Sequence, residues 1–172
     1  DVESHIESGG PGEASGDRAG DRRIPVTPIR KMIAANMVRS ASEIPHVWSM
    51  VEVDVTGMVA LRDAAKQEFR KTNGHPITYL AFAVSAAAGA LRAHPMVNAR
   101  WDGDEIILRG QVNIGIAVAT PDALIVPVIR DADGLTVADL AGEIDRLTSA
   151  ARSNSLNTED VQGGTFTVNN TG

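Results

Sequence analysis

The spacing of apolar and polar side chains changes period several times along the chain, and each change marks an element. Two aliphatic, β-branched runs, Val112 to Ala119 and Leu124 to Ile129, flank Thr120-Pro121-Asp122-Ala123. Each is strand-length and too short for a typical helix, and Pro121 with Asp122 supplies turn chemistry. The pattern therefore predicts a pair of strands between Val112 and Arg130. The first run is apolar at nearly every position instead of alternating, which predicts cover on both of its faces. Pro127 cannot donate to a ladder, so the second run should bulge, end its pairing or lie along an edge.

Helical periods surround this pair. Thr27-Pro28 is an N-cap followed by proline at the first helical position, and the helix it starts places Ile29, Met32, Ile33 and Met37 on one face. Arg30, Lys31 and Arg39 fall mainly elsewhere and read as a solvated face. His46 to Asp54 alternates and is expected to be a strand, with Val47, Ser49, Val51 and Val53 on one side and Trp48, Met50 and Glu52 on the other. Asp54 or Thr56 can cap a second helix whose stripe of Met58, Leu61, Ala65 and Phe69 is interrupted by Arg62. After the turn Asn73-Gly74-His75-Pro76, Thr78 can cap a third helix, apolar almost all round from Tyr79 to Leu91 and so central to a core, which ends near His94-Pro95. Trp101 to Glu105 reads as a hairpin turn entering a strand at Ile106-Ile107-Leu108. Thr136 can cap a fourth helix with Val137, Leu140, Ile144, Leu147 and Ala151 in register. Gly163 to Gly172 reads as a short strand running into a polar turn, and the chain is expected to stop there in mid-structure.

The ends are different in kind. Residues 1 to 7 look like the end of a helix cut from something upstream. Residues 8 to 23 lack large apolar side chains and read as a flexible linker with a reach of roughly 20 Å, because they cannot offset the entropy of being ordered. The folded domain is expected over residues 24 to 172.

Composition narrows the chemistry. The 172 residues suit one main domain with an aliphatic core, since 43% are hydrophobic but only 3% aromatic. A net charge of −6 disfavours a general nucleic-acid or anionic-membrane surface and favours small molecules or proteins as partners. With no cysteine, disulfides, thiolate metal sites and catalytic thiols are excluded, and no metal is expected. The longest apolar run, Ile77 to Leu91, is shorter than the roughly 20 residues needed to span a bilayer, and no signal peptide opens the chain, so a cytoplasmic location is expected.

Four stretches, in order, resemble the catalytic domain of the dihydrolipoamide acyltransferases, the core subunits of 2-oxo acid dehydrogenase complexes. They are Thr-Pro-Ile-Arg-Lys-Met-Ile-Ala (27 to 34), Ile-Pro-His-Val (44 to 47), Asn-Ile-Gly-Ile-Ala-Val-Ala-Thr-Pro-Asp (113 to 122) with Leu-Ile-Val-Pro-Val-Ile (124 to 129), and Gly-Gly-Thr-Phe-Thr-Val-Asn-Asn-Thr-Gly (163 to 172). Residues 1 to 7 resemble the end of the peripheral-subunit-binding domain that precedes the catalytic domain in this family. The resemblance implies an α/β fold, a two-layer sandwich like chloramphenicol acetyltransferase, incomplete here at the C-terminus. It also implies homotrimers that build larger cores, and transfer of an acyl group between coenzyme A and a dihydrolipoamide carried on a lipoyl domain outside this chain. The implied partners are the dehydrogenase and dihydrolipoamide dehydrogenase subunits.

The family's general base is the histidine of a His-x-x-x-Asp-Gly motif, and none of His5, His46, His75 or His94 is followed four residues on by aspartate. His46 reads as structural, and His75 and His94 precede prolines at helix boundaries. Two residues carry over from the resemblance. Asn169 stands where the family often has a serine that donates to the oxyanion of the tetrahedral intermediate, a role an amide can fill. Asn169 and Asn170 also suit an ordinary turn. Arg62 matches an arginine that pairs with the aspartate of the missing motif, although an arginine on a helix is most often a surface residue. The competing reading is a non-catalytic scaffold or assembly subunit of the same fold, and a free-standing antibiotic acetyltransferase is disfavoured by the linker. The resemblance is shared by acetyl, succinyl and branched-chain acyltransferases alike.

Overall fold

The structure, a computed structural model, describes residues 22–121 and 123–170. The helix end and most of the linker expected before residue 22, together with Asp122, Thr171 and Gly172, lie outside the described residues. The chain divides between Glu52 and Val53 into two units.

In the first unit, helix α1 (Pro28–Glu43) begins as the sequence predicts, with the Thr27 hydroxyl accepting from the Arg30 N–H at 3.3 Å and proline in the first turn. It ends where Ile44 turns extended, as a residue before proline must. The face expected to be buried is open: Met32 and Met37 are each 60% exposed. The strand expected over His46 to Asp54 does not form. Alternation decides which side chains share a face, but a strand exists only when a second backbone takes its N–H and C=O groups, and none of the described residues does so. Val47 and Trp48 are 93% and 84% exposed, so both sides of this stretch are bare.

The second unit opens with α2 (Thr56–Asn73). Asp54 caps it, its carboxylate accepting from the Thr56 N–H at 2.9 Å, and the Thr56 side chain together with that N–H holds the Asp54 carboxyl below its ordinary range. Gly74, in the left-handed region at φ 77°, closes the helix by donating to the Arg70 carbonyl. No side chain of α2 is fully buried, although Phe69 packs against the core. Helix α3 (Tyr79–Ala93) buries one face, Ala81, Val84, Ala88 and Leu91, and leaves Tyr79 exposed. It is the central helix that the sequence predicts, but it is amphipathic in its packing. Helix α4 (Val137–Arg152) carries a complete capping box between Thr136 and Asp139 and buries Leu140, Ala141, Ile144, Leu147 and Ala151.

Between α3 and α4, strands β1 (Ala99–Asp102) and β2 (Glu105–Leu108) form an antiparallel hairpin, closed at Gly103 with φ 62°. The predicted pair of runs is present as two short antiparallel ladders. Strand β3 (Ile114–Ile116) pairs with β6 (Val128–Ile129), and β4 (Val118–Ala119) with β5 (Leu124–Ile125). Both ladders keep one register, Ile114 opposite Ile129 and Ala119 opposite Leu124. The break falls at Pro127, which is buried and accepts from the Ile116 N–H at 2.9 Å but has nothing to donate. Pro127 therefore interrupts the hydrogen bonds without shifting the register, and β6 lies on the edge of its sheet.

The last strand, β7 (Phe166–Val168), runs parallel to β3 on its other side, giving the order β6-β3-β7. Ile114 and Ile116 are fully buried and share one core with α3 and α4, which makes the fold two layers, helices on a sheet. Gly115 points the opposite way and is also buried, so both faces of β3 are covered as expected. A Cβ on Gly115 would lie 2.8 Å from Val126 Cγ1 and 3.3 Å from Thr167 Oγ1. Gly115→Ala should therefore lower stability by about 1–3 kcal/mol through overpacking, read as a shift in urea midpoint at unchanged slope.

Candidate active site

Strand β7 delivers the chain to Asn169, and the backbone that aims β7 is held by one buried side chain. Asn113, 3% exposed, stands immediately before β3. Its Nδ2 donates to the Gly163 carbonyl at 2.9 Å, and its Oδ1 accepts from the Asp131 N–H at 2.9 Å. Its main chain completes the set: the N–H donates to Thr165 Oγ1 at 3.1 Å, and the carbonyl accepts from the N–H groups of Thr165 (2.8 Å) and Phe166 (3.2 Å). Three separate segments, before β3, after β6 and before β7, thus meet on one residue. Asp131 turns there through the left-handed region with φ 46°. Sequence reasoning passed over Asn113 as part of an apolar run; the available signal was a lone amide where burial is otherwise complete, since a buried amide must be hydrogen-bonded.

Asn169 follows β7 directly, is exposed, and its amide has no partner among the described residues. A neutral donor at the end of a strand, fixed by the ladder behind it, can serve a negative charge that develops nearby.

Arg62 lies on α2 with its side chain 26% exposed. Its Nε donates to the Ile77 carbonyl at 3.2 Å, Nη1 meets Asp63 at 2.8 Å, and the guanidinium sits 5.0 Å over the Tyr79 ring. Those contacts fix the guanidinium plane and leave Nη2 unbonded among the described residues. The hydrogen bond from Arg62, with that from Lys66, keeps the Asp63 carboxyl below its ordinary value. Arg62 also lines a cleft of about 580 Å³ with Lys66, Arg70 and Lys71 over Pro76 and Ile77. It is therefore a held residue and not a free surface arginine. No hydrogen bond or ion pair joins it to Asn169.

The histidines have structural places. His75 packs edge-on against Phe69 with ring centroids 5.5 Å apart, and a Cβ on Gly142 of α4 would come within 3.2 Å of its Nε2. His94 closes α3, and His46 is exposed. Among the described residues no group of histidine, aspartate and glutamate could hold a metal ion, and no helix is long and apolar enough to cross a membrane.

If Asn113 is the tie described, Asn113→Asp sets an acceptor against the Gly163 carbonyl and buries a charge. The variant should lose at least about 2 kcal/mol in denaturant melts, with faster amide exchange at Thr165 and Phe166 than at Leu140. An unchanged midpoint would contradict the assignment.

Residues 18–172 match the family model for 2-oxoacid dehydrogenases acyltransferase (catalytic domain). The chain is 54% identical over 154 residues to the lipoamide acyltransferase component of the branched-chain alpha-keto acid dehydrogenase complex of Bacillus subtilis (strain 168), covering 90% of this chain and 36% of that protein. Among solved structures it superposes on a probable dihydrolipoamide acetyltransferase from Listeria monocytogenes 4b F2365 with a TM-score of 0.87 at 48% identity, covering 90% of this chain and 66% of that one. It also superposes on the cubic core of a pyruvate dehydrogenase multienzyme complex with a TM-score of 0.82 at 35% identity, covering 87% of this chain and 62% of that one. The chain thus spans little more than a third of its Bacillus relative and just under two thirds of each solved core.

Proposed function

Since the chain belongs to the family of 2-oxoacid dehydrogenase acyltransferase catalytic domains, we propose that it is part of an enzyme that moves an acyl group between coenzyme A and dihydrolipoamide. The observation that carries this reading is the match of residues 18–172 to the family model, over a fold whose strand β7 leads straight to an amide unpartnered among the described residues.

In the proposed reaction a thiolate attacks the thioester carbonyl, and the electron pair of the C=O moves onto oxygen. The tetrahedral intermediate collapses with loss of the other thiolate. Asn169 Nδ2 would donate to the oxyanion, a bond that strengthens only as the charge develops. Arg62, half-buried and with Nη2 unengaged, would pair with a carboxylate from the loop bearing the general base. That base is none of His5, His46, His75 and His94, because none of them begins the family's motif. Coenzyme A and a lipoyl group on another domain are the substrates in this reading.

For assembly, the reading takes in a homotrimer and a larger core, joined by the dehydrogenase and dihydrolipoamide dehydrogenase subunits. It is supported by the bare apolar side chains of Val47, Trp48, Met50 and Val51, which need a cover from elsewhere. A solved relative described as a cubic core supports it too.

Residues 1–172 alone should turn over acetyl-, succinyl- and isobutyryl-coenzyme A with dihydrolipoamide no faster than the buffer blank, since general acid–base catalysis contributes roughly 10²–10⁴-fold. In a longer form that supplies the histidine motif, Asn169→Asp should cut kcat by about 10²–10³ with KM little changed, while Asn169→Ser stays within roughly tenfold of the parent. Equal turnover by all three would make Asn169 a turn residue only.

A further inference from the structure

A second cleft, of about 360 Å³, opens at the other end of β7 from Asn169. It is lined by Arg109 and Arg130 together with Gly110, Gln111, Gly163 and Gly164, with Ile107 and Leu108 at one side. We propose that this cleft binds a tetrahedral oxyanion, the phosphate group of a small phosphorylated ligand or free phosphate, a role outside the acyl transfer itself and not dependent on it.

Charge is the first argument. In a chain of net charge −6, neither Arg109 nor Arg130 has a carboxylate within 4.0 Å among the described residues, although both line the same cleft. Arg130 also borders a neighbouring cleft with Glu143, Glu159 and Asp160, where Asp160 is engaged by Arg146 at 3.2 Å.

Preorganisation is the second. Arg130 Nη2 donates to the carbonyls of Glu159 (2.8 Å) and Gln162 (3.4 Å), which pins the guanidinium and leaves its other nitrogens unengaged among the described residues. Its Nη1 lies beside Gly163, where a Cβ would stand 3.6 Å away. Gly163 has φ 80°, so a side chain there would be strained as well as intrusive. Arg109 is held through its main chain, donating to the Asn98 carbonyl at 2.9 Å, and its side chain has no partner among the described residues.

The third argument is the backbone. The N–H groups of Gly110, Gln111, Gly163 and Gly164 have no acceptor among the described residues, and these four residues line the same concavity as the two arginines. Forked guanidinium groups with clustered main-chain N–H groups are the donor set that suits phosphate oxygens. A single phosphate is much smaller than the cleft, and Ile107 and Leu108 offer an apolar surface to whatever it is attached to.

The test is equilibrium dialysis of the full chain against radiolabelled inorganic phosphate at constant ionic strength, with sulfate and acetate as competitors. Binding should saturate and be displaced by sulfate but not by acetate. Arg109→Gln, which disturbs no internal bond, should weaken it by about tenfold or more. Arg130→Lys, which keeps the charge and loses the fork, should weaken it less, and Lys66→Gln, on the separate α2 cleft, should leave it unchanged. The proposal fails if binding does not saturate, if Arg109→Gln binds as the parent does, if Lys66→Gln loses as much as Arg109→Gln, or if acetate competes as well as sulfate. No arm measures turnover, so failure here leaves the acyltransferase reading standing, and failure of that reading leaves this one untouched.

Discussion

The hydrogen bonds gathered on Asn113 are the constraint on which the sheet depends. A three-stranded sheet whose outer members contribute two and three residues has few ladder bonds of its own. Asn113 supplies the missing alignment from the strand end, binding the start of β7 and the turn after β6 to the start of β3. Because the amide is nearly sealed from water, each bond lost there would strand a polar group in the interior, so the arrangement favours all of its bonds together. Burial of Ile114 and Ile116 against α3 and α4 then follows from a strand already fixed in register.

How much of this was legible depended on how local the physics was. The caps at Thr27 and Thr136 and the stripe Leu140, Ile144, Leu147, Ala151 involve neighbours three or four residues apart, and all are found as read. The cover on both faces of β3 was legible from unbroken apolarity. The stretch from His46 to Asp54 was misread because alternation reports what a segment is suited to, not whether a partner strand is at hand. The role of Asn113 was not legible at all: its partners lie 18 to 53 residues away, and nothing in the local pattern names them. Asn169 and Arg62 were singled out through resemblance, and the structure adds their surroundings, an unpartnered amide and a clamped guanidinium.

The exposed apolar surface is unevenly placed. Helices α3 and α4 are efficiently packed, while Trp101 and Ile106, directly opposite each other on the β1–β2 hairpin, are 74% and 49% exposed. A two-stranded hairpin has little stability in isolation, and a cross-strand aromatic and aliphatic pair is the kind of contact that keeps it formed. The same pair leaves a wet apolar surface on an otherwise acidic molecule.

The parallel pairing of β3 with β7 also has a consequence in time. The paired residues Ile114 and Phe166 are 52 positions apart, and at translation rates of about 5–20 residues per second the ribosome needs roughly 3–10 s to pass from one to the other. During that interval β6 and the helices can already assemble, but one edge of β3 has no occupant. A growing chain therefore presents an unfilled strand slot long enough for a chaperone, or a neighbouring nascent copy, to reach it before β7 arrives.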